Sequence, residues 1–185
     1  TYYLNPDAFS DGQLYIPEVG NGVPDIIDEA LWEIDWWLRM RDSQGGYLTG
    51  LTNIKPPDDE VNYAGAPVAW QGWCVAAGSA MAADCFRLAG DGERQAYYLQ
   101  EALEAWNWAS AQDDAMLDVD VSGVRGRDLK MTAAAFLYNL TGDARWESIV
   151  ANESVVDGPQ SRVLSHGEWE QRFATVGYML TPNQV

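Results

Sequence analysis

Three carboxylates lie close together at the start of one segment, directly after a Gly-Asn-Gly-Val-Pro turn. In the stretch NGVPDIIDEALWEIDWWLRMRD, the acidic residues Asp25, Asp28 and Glu29 follow the turn closely. Such a group could bind a metal ion or act in acid/base catalysis. The alternative is that it stabilises the positive end of a helix dipole and fastens the turn. We favour this alternative, because the carboxylates fall in the first turns of a predicted helix.

Other polar residues could also do chemistry, but their spacing matches no recognised site. The acidic run 58–60 could hold an amino sugar or a cation, although a solvated loop is the simpler interpretation. The aspartates between residues 113 and 120 lack the fixed spacing of a calcium-binding loop. His166 is the one histidine of the chain and lies in a polar stretch. No serine has a histidine at a spacing that indicates a nucleophilic triad.

Aromatic residues are stronger candidates for ligand contact. The sequence has nine tryptophans and nine tyrosines, and such rings stack on sugars or fill helical cores. Trp70 and Trp73 lie near the start of a predicted helix, after a long loop that carries Tyr47 and Tyr63. Long loops in compact domains are often functional. We therefore predict these four residues as substrate contacts, with core packing as the alternative.

Six apolar or amphipathic segments predict the helices that would position these residues. They cover approximately residues 24–41, 67–88, 93–111, 128–140, 144–151 and 168–180. The first has an apolar stripe at helical spacing, and Trp32, Trp36 and Trp37 are expected to pack. The second is rich in alanine and glycine, so another helix can approach it closely.

No stretch alternates between apolar and polar residues over the length of a strand, which favours an all-α fold. Short turns alternate with long connections between the predicted helices. Antiparallel helical hairpins joined in this way suit an α/α toroid. In such an arrangement we expect the long connections to gather on one face and to carry the site.

The net charge of −17 limits the possible partners. A surface this acidic repels phosphate backbones and anionic lipids, so we expect no nucleic acid and no membrane partner. No apolar run reaches the roughly 18 residues of a membrane span. Cys74 and Cys85 lie on one predicted helix, about 16 Å apart at 1.5 Å per residue, and cannot form a disulfide.

The stretch IPEVGNGVPDIIDEALWEIDWWLRMRD, residues 16–42, closely resembles a signature of glycoside hydrolase family 9, the inverting cellulases with an (α/α)6 barrel. Gly45-Gly46, the helix VAAGSAMAADCFRLAG and the segment AAAFLYNLTGDARW follow it in the order of the family. The resemblance implies part of an (α/α)6 toroid. It also implies that residues 1–185 are a single segment of a helical-barrel catalytic domain, incomplete at both ends.

The resemblance further implies inverting hydrolysis of a β-1,4-linked, cellulose-like glucan by an acid and a base carboxylate. The resemblance places the base in an Asp-Ala-Gly-Asp motif upstream of the signature, which does not occur here, and the acid at a glutamate downstream of Val185, so both would lie outside this segment. We therefore assign no catalytic residue here. The implied partners are an oligo- or polysaccharide and the remainder of the same domain, in a secreted or periplasmic protein that requires no cofactor.

Two alternatives remain open. The family includes exo-β-D-glucosaminidases, and an acidic chain suits cationic chito-oligosaccharides. The chain could also be a non-catalytic helical module that binds sugar or protein. This alternative would be favoured if the natural polypeptide spanned only these 185 residues, since the catalytic pair would then be missing.

The sequence departs from the family pattern where a structural calcium can bind. Members often read Ser-Gly-x-x-Asp-Glu before a later helix. Here Ser122-Gly123 is followed by Val-Arg-Gly-Arg and then by Asp128-Leu129. A leucine thus replaces one carboxylate, although calcium prefers six or more oxygen ligands. A structural calcium remains possible in the whole protein.

Overall fold

Six α-helices make up most of the part of the chain that the structure describes. The computed structural model covers residues 1–53, 62–112, 117–118, 120–121, 124–156 and 171–182. The helices are α1 (Asp25–Arg39), α2 (Ala69–Ala89), α3 (Gly92–Ser110), α4 (Gly126–Thr141), α5 (Ala144–Glu153) and α6 (Arg172–Met179). Two short 3-10 turns, Tyr2–Leu4 and Pro6–Ala8, precede α1. The all-α prediction is confirmed, and so is the order of the helices.

Two small antiparallel hairpins lie in the connections between helices. The first pairs β1 (Leu51–Asn53) with β2 (Asn62–Ala64), and the second pairs β3 (Asp120–Val121) with β4 (Val124–Arg125). The sequence analysis predicted no strand. Two or three residues per strand are too few for an alternating pattern to be visible.

Helix α2 lies at the centre of the packing and contacts α1, α3 and α4. Its small residues allow the close approach that the sequence predicts. A Cβ atom added at Gly72 would lie 2.9 Å from the Cβ of Ala109 on α3. Ala76, Ser79 and Ala80 have no exposed surface. None of the helices in the described residues is long and apolar enough to cross a membrane.

Two-residue turns join α2 to α3 and α4 to α5. Gly90 and Gly142 end α2 and α4 with φ angles of 76° and 65°, a left-handed conformation that favours glycine. Asp91 and Asp143 follow and cap the next helices, because their carboxylates accept hydrogen bonds from the backbone amides of Arg94 and Arg145.

A buried polar network ties the first residues of the chain to the helices. The Asp84 carboxylate on α2 is fully buried and accepts hydrogen bonds from the Tyr3 hydroxyl and from Arg87 Nε, the latter at 2.6 Å. Asn139 Nδ2 on α4 donates to the Tyr3 hydroxyl at 3.0 Å and to the Gly177 carbonyl at 3.1 Å. Burial and the neighbouring carboxylate raise the pKa of Tyr3. The 3-10 turn at the N-terminus is thereby fixed to α2, α4 and α6.

The tryptophans of α1 pack less completely than expected. Trp36 and Trp37 are half-buried, and their rings meet edge-on with centroids 4.5 Å apart. Trp32, however, is 65% exposed, so the expectation that it packs is wrong for this part of the chain. It lines a surface cleft together with Asp28, Asp35 and Arg39.

Candidate functional site

The long connections of the described residues meet at one end of the helices. Trp108, in the last turn of α3, contacts Tyr47 with ring centroids 5.9 Å apart. Trp70, in the first turn of α2, donates from Nε1 to the carbonyl of Val124 at 3.0 Å. The connection after α1 and the connection before α4 therefore lie side by side.

The connection between α5 and α6 begins at the same end. The guanidinium of Arg127, in the first turn of α4, forms an ion pair with Glu153 at the end of α5. Gln171, before α6, donates from Nε2 to the Glu153 carbonyl at 3.0 Å and accepts from the Val155 amide at 2.9 Å. We call the end that holds residues 40–53, 62–70, 117–118, 120–121, 124–127, 153–156 and 171 the loop end. The prediction that the long connections gather on one face is confirmed for these residues.

Two of the four predicted substrate contacts have accessible rings at the loop end. Tyr63 lies on β2 and is 45% exposed. Trp70 is half-buried and is held by its hydrogen bond to Val124. Both rings could stack on a sugar, because such stacking needs one free face of the ring.

The other two predicted contacts, Tyr47 and Trp73, lie in the core. Tyr47 is completely buried, with its hydroxyl bonded to Arg41, and burial raises its pKa to about 12. Trp73 is 2% exposed and packs edge-on against Trp106, with centroids 4.8 Å apart. Neither ring offers a face to a sugar. The structure therefore favours the packing alternative for both residues.

Asp25 fastens the loop before α1, as the sequence predicts. It is 1% exposed, and its Oδ1 accepts from the Gly12 amide at 2.8 Å while its Oδ2 accepts from the Leu14 amide. Asp28 accepts from the Asn21 side chain at 3.1 Å. These acceptor atoms are engaged with protein donors, which agrees with a structural role for the carboxylates.

Asp11 is a further turn-fastening residue that the sequence analysis missed. Its two oxygens accept from the amides of Gly20 and Gly22, each at 2.7 Å. These hydrogen bonds lower the pKa of Asp11. An aspartate in an irregular stretch gives no spacing signal, so only the folded loop shows its role.

An apolar trough runs along the helices beside the loop end. One cavity of about 480 Å³ lies between α1, α2, α4 and α6, and a second of about 490 Å³ continues it along α6. Met81 and Phe173 line both cavities. Burial raises the pKa of Cys74, which lines the first, to about 11. Among the described residues that line it, Glu33 is the one carboxylate, so these residues do not supply the acid/base pair that hydrolysis of a glycosidic bond needs.

Several polar candidates from the sequence fall outside the described residues. These are the acidic run 58–60, the aspartates at 113 and 114, and His166. Asp118 is described and lies on the surface, paired with Arg127 at 2.9 Å. Within the described residues, no three histidine, cysteine, aspartate or glutamate side chains gather as a metal site.

The helices of this chain are antiparallel, their long connections lie at one end, and the apolar trough has no partner in the described residues. This arrangement is one part of an α/α barrel. A search of protein-family models gives no match. Endoglucanase C of Cellulomonas fimi is 44% identical over 62 residues, which are 34% of this chain and 5% of that protein. Cellulose 1,4-beta-cellobiosidase of Acetivibrio thermocellus is 51% identical over 56 residues, which are 29% of this chain and 6% of that protein.

Solved structures extend the similarity to nearly the whole chain. A metagenome-derived glycoside hydrolase family 9 endoglucanase matches 96% of this chain with a TM-score of 0.71 and 30% identity. A Bacteroides ovatus GH9 structure matches the complete chain with a TM-score of 0.71 and 22% identity, which supports the fold. The resemblance to glycoside hydrolase family 9 is confirmed, and the fold is part of its (α/α)6 barrel. The chain spans 34% and 37% of these two structures.

Proposed function

We propose that this chain is part of a glycoside hydrolase that cleaves β-1,4-linked glucan with inversion at the anomeric carbon. The observation that carries the proposal is the similarity to the family 9 endoglucanase, 30% identical over 96% of the chain. The curated relatives include an endoglucanase, a cellobiosidase and, at 39% identity over 64 residues, a xyloglucan-specific endo-beta-1,4-glucanase from Bacteroides ovatus.

The acid and base of this reaction lie outside residues 1–185 in our proposal. An inverting pair leaves room for a water molecule between the carboxylates, one protonating the leaving oxygen and the other activating the water. This chain contributes the loop end instead. Tyr63 and Trp70 stack on sugar rings there and hold the polymer in register with the acid and base.

The apolar trough supports an assignment to part of a larger domain. Phe173, Val176 and Met179 in its lining are 49% to 65% exposed. Contiguous exposed apolar side chains indicate a contact surface, and we assign the remainder of the same catalytic domain as its cover. The function requires no cofactor in this proposal. A polymeric glucan does not cross a lipid bilayer, which favours a secreted or periplasmic protein.

The test is hydrolysis by the natural full-length polypeptide. Cello-oligosaccharides and chito-oligosaccharides are supplied in parallel, and proton NMR follows the anomer that forms first. We expect cleavage of the cello-oligosaccharides with the α-anomer appearing first. First formation of the β-anomer would contradict inversion. Cleavage of chito-oligosaccharides alone would favour the glucosaminidase alternative, and sugar binding without hydrolysis would favour the binding module.

A further inference from the structure

A buried carboxylate joins three segments at the loop end. Asp128, in the first turn of α4, is 1% exposed. Gln171, which precedes α6, donates from Nε2 to its Oδ1 at 2.9 Å, and the same Nε2 also donates to the Glu153 carbonyl at the end of α5. Asp128 is thus the point at which α4, α5 and α6 are connected through polar groups.

Arg125 supplies the positive charge at this point. Its Nη2 donates to Asp128 Oδ1 at 2.7 Å, and its Nε donates to Asp128 Oδ2 at 2.8 Å. The Arg125 backbone amide donates to Oδ2 at 3.3 Å. This two-pronged geometry is the strongest form of a carboxylate–guanidinium contact. The hydrogen bonds to Asp128 raise the pKa of Arg125, so the guanidinium stays charged.

The donors around Asp128 fill its acceptor positions. Oδ1 accepts from Arg125 and Gln171, and Oδ2 accepts twice from Arg125. An ionised carboxylate has about four lone-pair positions, so none is left for a metal ion. The adjacent carboxylate of the family pattern is a leucine, Leu129, which contributes no oxygen. Calcium binds six to eight oxygens, and the described residues at this junction do not fit it.

A second arginine reinforces the same junction. Arg127 forms an ion pair with Glu153, whose side chain is 15% exposed, and its backbone amide donates to the Leu117 carbonyl at 2.9 Å. Its contact with Asp118 lies on the surface, where Asp118 is 73% exposed, and contributes little. Two guanidinium groups therefore face the carboxylates where α4 begins.

We propose that Arg125 takes the place of a divalent cation at this junction and fastens the starts of α4 and α6 to the end of α5 without calcium. Arg125 is a positioning residue: it orients the segments that form the loop end and touches no substrate. The inference is independent of the proposed hydrolase activity, because its test measures stability and calcium response.

The test compares the thermal unfolding of the natural full-length polypeptide with that of three variants, each in EDTA and in millimolar calcium. Arg125→Gln removes the guanidinium, and Asp128→Asn removes the carboxylate charge. Arg39→Gln removes one positive charge from an exposed position and serves as the control. We expect both junction variants to lower the melting temperature by about 5 °C or more and the control to leave it unchanged.

The calcium response distinguishes a junction that Arg125 fastens from one in which Asp128 binds calcium. Calcium bound elsewhere in the protein would shift the melting temperature of the wild type and of Asp128→Asn equally, which is the expected result. A response that is present in the wild type and absent in Asp128→Asn would make Asp128 a calcium ligand and overturn the inference. So would an unchanged melting temperature in Arg125→Gln. If Asp128→Asn does not fold, the variant Arg125→Lys is measured in its place. We expect its melting temperature to lie between those of the wild type and Arg125→Gln, and its calcium response to equal that of the wild type.

Discussion

The packing of α2 against α3 predicts opposite effects for two glycine-to-alanine substitutions on the same helix. At Gly72 an added Cβ would lie 2.8 Å from Trp108 Cε3 and 2.9 Å from Ala109 Cβ. At Gly78, among the residues that the structure describes, it would meet Ile34 alone, with Cγ1 at 3.3 Å. Ala109 Cβ is fixed to the α3 backbone, whereas the partly buried Ile34 side chain can shift.

The expected changes in the free energy of unfolding differ between the two variants. Replacing a glycine by alanine inside a helix stabilises by about 1 kcal/mol, and this gain is common to both. Overpacking costs about 1–3 kcal/mol and applies at Gly72, because the added Cβ would lie under 3.0 Å from both Trp108 and the Ala109 Cβ, and Trp108 also packs edge-on against Tyr47. Gly72→Ala is therefore expected to be about 1–3 kcal/mol less stable than Gly78→Ala. At 2–4 °C per kcal/mol this is roughly 2–12 °C in melting temperature.

Urea and thermal denaturation of the two variants, followed by circular dichroism, measure this difference. Gly78→Ala is expected to equal or exceed the wild type in stability, and Gly72→Ala to fall below Gly78→Ala. The reasoning would be refuted by a Gly72→Ala variant as stable as Gly78→Ala. That result would mean that α3 can move away from α2 without loss and that their close approach does not constrain the fold.

Three further predictions concern the loop end and the thiols. Tyr63→Ala removes a stacking face from an exposed position, so we expect KM for oligosaccharides to rise about 2–12-fold, with kcat and melting temperature unchanged; a fall in stability would instead indicate a packing role. Because burial raises the pKa of Tyr47 from 10.0 to about 12, the folded state favours the neutral phenol. The stability this contributes is present below pH 10 and is lost as the pH rises through about 12. An ultraviolet titration of Tyr47→Phe should lack one tyrosinate transition near the upper value, and an unaltered titration would contradict the assignment. The Cys74 and Cys85 thiols, each with a pKa raised to about 11 by burial, should react slowly with a thiol reagent at neutral pH and rapidly in denaturant. Equal rates in both conditions would show that they are accessible.

Local patterns predicted the parts of the molecule that depend on local interactions. The apolar stripe of α1 predicted the helix. The glycine turn before it predicted that Asp25 and Asp28 fasten that turn. The alanine-rich α2 predicted close helix contact, as Gly72 shows. In each case the pattern that allowed the prediction lies within one segment, even where the contact partner, such as Ala109 for Gly72, lies on another helix.

The sequence could not separate aromatic residues that pack from those that remain accessible. Tyr47 and Trp73 looked as suitable for sugar contact as Tyr63 and Trp70, because all four lie in or beside the same connection. Their burial depends on α3 and α4, which supply Trp106, Trp108 and Lys130. The Asp128–Gln171 contact joins residues 43 positions apart, so no local sequence pattern could predict it.

The hydrogen bond between Tyr3 and Asn139 has a consequence for the order of assembly during synthesis. The two residues are 136 positions apart. Helices α2 and α3 are joined by a two-residue turn and can pair as soon as they leave the ribosome, since nearby segments meet fastest. The turn Tyr2–Leu4 is made before all six helices, yet it has no Asn139 to bind until α4 has been translated. Among the described residues, this early segment is therefore one of the last to be fixed in place.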